Sequence, residues 1–162
     1  MDTPQPIHQK LFGEAEIETA LDRLLSRAQR RLCVFDRQLN RGFVNPTRSD
    51  LLRSFLLSNR NNRIRIVLHD ASMLARDCPR LLGLLRQFSH AIAIQETEAQ
   101  AKGAYDPFII GDDRDHLHRF HYDDARGLLA LDDPQATLPF AQRFEELWAA
   151  STPAVFATTL GL

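Results

Sequence analysis

Three short apolar runs, Leu32 to Phe35, Ile64 to Leu68 and Ala91 to Ile94, each follow a segment whose apolar residues recur at helical spacing. This alternation constrains the chain more than any other feature. The runs have strand length, and helices between them predict a layered α/β arrangement. The first helix carries Ile17, Leu21, Leu24, Leu25, Ala28 and Leu32. Glu14, Glu16 and Glu18 open it and Arg27, Arg30 and Arg31 close it, which suits the helix dipole. A loop from Asn40 to Thr47 leads to a second helix, capped by Thr47 or Ser49 and carrying Leu52, Phe55 and Leu56. Asp77 and Pro79 open a third, with Leu81, Leu84, Leu85 and Phe88 on one face.

The pattern changes after the polar stretch from Glu96 to Gly103. Three strand-like runs follow, Pro107 to Ile110, Leu117 to Tyr122 and Gly127 to Leu131, separated by aspartate-rich turns. Phe140, Phe144 and Leu147 mark a closing helix that ends at Trp148. The expectation is an α/β fold, a mixed β-sheet flanked by helices. Residues 1–12 are expected as a flexible arm, 13–151 as the domain and 152–162 as a tail.

A chain of 162 residues is one domain's worth, and 44% apolar and 25% charged residues are those of an ordinary globule. No apolar run is long enough to cross a membrane, and the opening MDTPQPIHQK lacks a secretory core. Cys33 and Cys78 make neither a disulfide framework nor a four-ligand metal site. A cytoplasmic protein with two buried thiols is expected. Net charge is −1 but uneven: residues 1–65 carry +5 and the remainder −6. The basic segment is nearly all arginine. Arg53, Arg60, Arg63 and Arg65 surround one expected helix–strand junction, where they are candidate phosphate ligands for nucleic acid. A solvated basic face explains the same charges and is the preferred reading.

Several chemistries lack their motifs. There is no GxGxxG, no GxxxxGK[ST] and no GxSxG. Cys78 has no evident histidine partner and reads as structural. His69 closes the second strand, a place where α/β proteins build pockets. Asp112, Asp113, Asp115, His116, His118, His121, Asp123 and Asp124 form a dense cluster. His116 and His118 share one strand face, and with a carboxylate could hold zinc or manganese. Two aspartate-rich turns around a hairpin give the same composition, so no metal or cofactor is expected.

The run RIRIVLHD (Arg63 to Asp70), the strand Ala91 to Ile94, the strand Phe108-Ile109-Ile110 with Gly111-Asp112, and the closing Phe144-Glu145-Glu146-Leu147-Trp148 resemble one half of the phospholipase D superfamily. That superfamily carries H-x-K-x(4)-D beside a strand. Laid on this chain, the three slots fall at Tyr105, Pro107 and Asp112, and only the aspartate survives. The superfamily's G-S-x-N lies near Arg119, Phe120 and Tyr122 and is also lost. The resemblance implies a histidine nucleophile, a lysine phosphate clamp and an aspartate that orients the imidazole. Tyrosine, with a pKa near 10, is a poor replacement for the first, and proline offers neither charge nor donor for the second. The chain also resembles small uncharacterised bacterial proteins, some fused behind acetyltransferase domains.

These readings converge on a non-catalytic binding or interaction module built on a degenerate phosphodiesterase scaffold. The alternatives are a metal-dependent or cryptic phosphoester hydrolase using His116, His118 and Asp112, and a structural partner of another domain such as an acetyltransferase. Because superfamily halves pack in pairs around a shared cleft, the resemblance also implies a homodimer. Phe43, Tyr105, Phe120 and Tyr122 are the expected apolar contacts.

Overall fold

The computed structural model describes residues 3–39 and 45–154. Among these residues, eight strands form one mixed sheet. They are β1 (Ile7–Phe12), β2 (Arg31–Asp36), β3 (Arg63–Leu68), β4 (Ile92–Thr97), β5 (Phe108–Gly111), β6 (Asp115–His121), β7 (Asp124–Leu131) and β8 (Ser151–Pro153). The spatial order is β1-β7-β6-β5-β2-β3-β4-β8. The β2, β3 and β4 strands are parallel, and all other pairings are antiparallel. The expected α/β class with a mixed sheet is therefore the observed one.

The helices are α1 (Glu14–Arg27), α2 (Pro46–Ser58), α3 (Leu74–Asp77), α4 (Pro79–Gln87) and α5 (Pro134–Ala149). Leu21 and Leu24 of α1, Leu52 and Phe55 of α2, and Leu81 and Leu84 of α4 join Val34, Ile64 and Ile66 in the larger core. On the other side Phe144 and Leu147 of α5 close over Phe35, Val67 and Phe108. Each layer removes an apolar stripe from water, the dominant stabilising term in such a fold. No helix among the described residues is long and apolar enough to cross a membrane.

Four local expectations are corrected. Residues 7–12 are an edge strand rather than a loose arm: β1 pairs with β7 from Ile7↔Leu131 to Phe12↔Arg126. Thr152 and Pro153, the first residues of the expected tail, pair with β4 together with Ser151. The α2 cap is Asn45, whose side chain accepts from the Arg48 amide at 2.8 Å, with Pro46 at the first helical position. Thr47 and Ser49 lie within the first turn. Finally, α1 ends at Arg27, so Arg30 and Arg31 lie beyond its last turn. The chain leaves the helix because the amides of Gln29, Arg30 and Arg31 donate to the Asp112 carboxylate at 2.9, 2.8 and 3.0 Å. Phe43 and most of the Asn40-to-Thr47 loop lie outside the described residues.

Candidate functional site

The C-terminal ends of β2 and β3, the start of β5 and the end of β6 meet at one edge of the sheet. Parallel strands place ligand sites at such ends, because helix-bound loops leave a crevice there. A cavity of about 390 Å³ opens at this place, between the first two turns of α1 and the strand ends. Ile17 and Leu21 from α1, Leu39, Phe108, Ile109 and Leu117 give it apolar walls. Its charged lining is Glu14, Glu18, Asp36, Asp123 and Arg119.

Asp36, the last residue of β2, is half-buried here. Burial pushes its carboxyl up to about 7, although it accepts from the Arg37 amide at 2.6 Å and feels Arg119 and Arg37. A carboxyl that titrates near neutrality in a cleft marks a candidate site. Arg119 is the one cation among the described lining residues, and each of its three nitrogens already has an acceptor. Nε donates to the carbonyls of His121 and Asp124 at 3.2 and 2.8 Å, and the two terminal nitrogens grip Glu14 at 3.2 and 2.7 Å. An adjoining smaller cleft adds Arg37 and Gln38. The Arg37 guanidinium lies over the Tyr122 ring at 4.8 Å, a cation–π contact at the rim.

The superfamily slots divide between the two ends of β5. Pro107 lines the cavity, and Tyr105 stands at its rim, 55% exposed, with its ring 6.3 Å from that of Tyr122. Asp112 lies past the other end of the strand, whose four residues span roughly 13 Å. It therefore cannot orient a group at the Tyr105 slot. Its carboxylate holds the α1–β2 connection instead.

The remaining candidates are not brought together. His69 does not line either cleft. Its Nε2 donates to the Ala104 carbonyl at 2.6 Å and its Nδ1 accepts from the Thr97 hydroxyl at 2.7 Å, so it joins β3 to the β4–β5 connection. Burial lowers its pKa, keeping it neutral. His116 and His118 do share one face, but that face packs on α5. Both rings lie against Phe140, at 4.4 and 4.8 Å. His116 is buried on the Thr137 hydroxyl at 2.8 Å, and its pKa is pushed down to about 4 by desolvation. His118 bonds Asp106 at 2.9 Å, and Arg143 clamps the same carboxylate. Asp112 is engaged with the α1–β2 connection while the histidine face packs on α5, so the three residues of the hydrolase alternative form no common site. No group of three histidine, cysteine or acidic residues suited to a metal occurs among the described residues.

The four arginines also separate. Arg53 on α2 donates to Gln87 at 2.7 Å, on the helix-rich side of the sheet. Arg65 pairs with Glu145 and lies over the Phe144 and Trp148 rings of α5, on the opposite side. Arg63 bonds the carbonyls of Arg60 and Asn62, so only Arg60 and Arg63 stay at the expected junction. The cavity's central groups, Asp36 and Arg119, were missed. Asp36 follows an apolar strand run just as His69 and Asp70 do, and the strand-end rule that singled out His69 applies to it equally.

No curated protein matches the sequence. Solved structures do resemble the fold. Nuc from Salmonella typhimurium, a phospholipase D family member, superposes with a TM-score of 0.65 at 12% identity, covering 93% of this chain and 99% of its own. NucT from Helicobacter pylori gives 0.62 at 12% identity, with 93% and 100% covered. The archaeal chromatin protein TrmBL2, whose structure shows a mode of DNA binding, gives 0.66 at 13% identity, with 95% and 55% covered. These likenesses establish a phospholipase D-like fold. A family profile matches residues 13–157, and the chain belongs to that family, the domain of unknown function DUF7931.

Proposed function

We propose that this chain is a non-catalytic binding module on a phosphodiesterase-type scaffold, acting in the cytoplasm. The observation that carries the reading is the state of the cleft. At the β5 start, Tyr105 and Pro107 offer no imidazole nucleophile and no cation, and the nearby Arg119 is held by Glu14 and two carbonyls. A phosphodiester approaching this place meets Asp36 and Asp123 rather than a clamp for its charge. The test is turnover of bis(nitrophenyl) phosphate and of single-stranded DNA, with and without divalent metal. No protein-dependent turnover is expected. Turnover that vanishes in Asp36→Asn overturns the proposal.

The same reading includes a homodimer. Tyr105 and Phe120 stay 55% and 50% exposed on the rim and face of the β6 end, where a second copy would cover them. A stable contact needs about 800 Å² from each partner. Light scattering at a mass near 18.5 kDa, one chain, rejects the dimer.

A further inference from the structure

The cavity is not suited to the anion its scaffold suggests. Its walls are apolar, so a ligand with an apolar body gains by entering. Among the described residues, four of its five charged lining groups are acidic. Glu14 is answered by Arg119, and Glu18 lies 3.8 Å from Arg48, whose Nε bonds Asp22 instead. Asp36 is the half-buried carboxyl at the inner strand end, held by the Arg37 amide, with Asp123 exposed at the mouth.

We propose that this cavity binds a small organic cation, an amine carried on an apolar body, with Asp36 as its counter-ion. The inference rests on the binding-module reading and names its ligand class. The Asp36 carboxylate accepts from the Arg37 amide at 2.6 Å, and an ammonium group beside it adds a charge-to-charge hydrogen bond, about twice as strong as a neutral one. Among the described residues of this lining, an anion would face the same carboxyl and one guanidinium, that of Arg119, which Glu14 already grips.

Proton linkage provides an independent readout. Asp36 is answered by Arg119 from β6 and by Arg37 from its own strand end. Glu14 and Glu18 face the cavity from α1, with Arg48 of α2 behind Glu18, and Asp123 faces it from the β6–β7 turn. Asp70 at the β3 end is held by Gln38 and Ser72. The carboxyl sits near 7 because it is desolvated, so an amine binds the ionised form and expels the proton. Amine affinity therefore rises as pH rises through that value.

The experiment titrates the full chain with 2-phenylethylamine, 2-phenylethanol and 3-phenylpropanoate, following backbone amide shifts. The amine is expected to shift Leu21, Asp36 and Leu117, and to bind roughly tenfold or more tighter than the alcohol. Its affinity is expected to increase from about pH 6 to about pH 8. Asp36→Asn should equalise amine and alcohol. Equal or tighter binding of the alcohol or the carboxylate overturns the proposal. So does the absence of binding by all three probes, or an amine preference that survives in Asp36→Asn. If that variant fails to fold, the pH series decides: amine affinity that is flat or falls with pH overturns the proposal. Phosphodiester turnover would sink the binding-module reading separately, without touching these titrations.

Discussion

Replacing Asp112 by alanine should destabilise the fold by about 2–4 kcal/mol. Three amides, those of Gln29, Arg30 and Arg31, converge on this carboxylate at 2.8 to 3.0 Å. Hydrogen bonds to a charged acceptor contribute roughly 1.5 kcal/mol or more each. The sum is reduced because these amides belong to exposed residues and regain water once the carboxylate is gone. The midpoint of thermal unfolding should fall by about 5–12 °C for a chain of this size. Two further variants separate causes. Asn keeps one acceptor oxygen and tolerates the left-handed backbone at φ 57, so Asp112→Asn should lose about half as much. Glycine adopts that backbone without strain, so Asp112→Gly should be about 1 kcal/mol more stable than Asp112→Ala. Urea denaturation of the four proteins measures all of this. An alanine variant within about 0.5 kcal/mol of the parent, the usual range of an inert surface change, would refute the structural role of Asp112.

Leu11→Ala should cost about 2–5 kcal/mol in the same assay, because Leu11 is 1% exposed in the core although its strand lies at the sheet edge; a flexible arm would lose nothing. His116 sets an acid limb. Its folded pKa, about 4, lies below the ordinary value of 6.5, so the unfolded chain takes up the proton first. Its contribution is fully present above about 6.5 and is lost as pH falls towards 4, to a total of at most about 3 kcal/mol. Stability of His116→Gln measured against pH should show a flatter slope across that window.

The central layers were legible because their residues are buried with a period. Ile64 and Ile66 of β3 alternate with the less buried Arg63 and Arg65, and the α1 leucines keep helical spacing. The two edges were not. In IHQKLF only Leu11 is buried, so β1 carries no alternation to read, and β8 has three residues. The candidate site was half legible. Tyr105 and Pro107 fall on the cleft, and Asp112 was picked out with the wrong job, because a motif written in one dimension hides the strand between its ends. Polar pairs such as Asp106 with Arg143 join residues 37 apart in sequence through α5, and nothing local announces them.

The β1–β7 pairing also sets the order of assembly. His8 in β1 bonds Asp133, 125 residues further along, and every ladder partner of β1 lies in residues 126–131. On the ribosome β1 emerges first and then waits on the order of ten seconds, at ordinary elongation rates, for β7 to be made. Until then it is an unpaired strand in a chain whose α1–β2–α2–β3 units already have local partners, and closing so long a loop is slow. His8, Gln9 and Lys10 keep that waiting strand polar, which discourages pairing with other nascent chains.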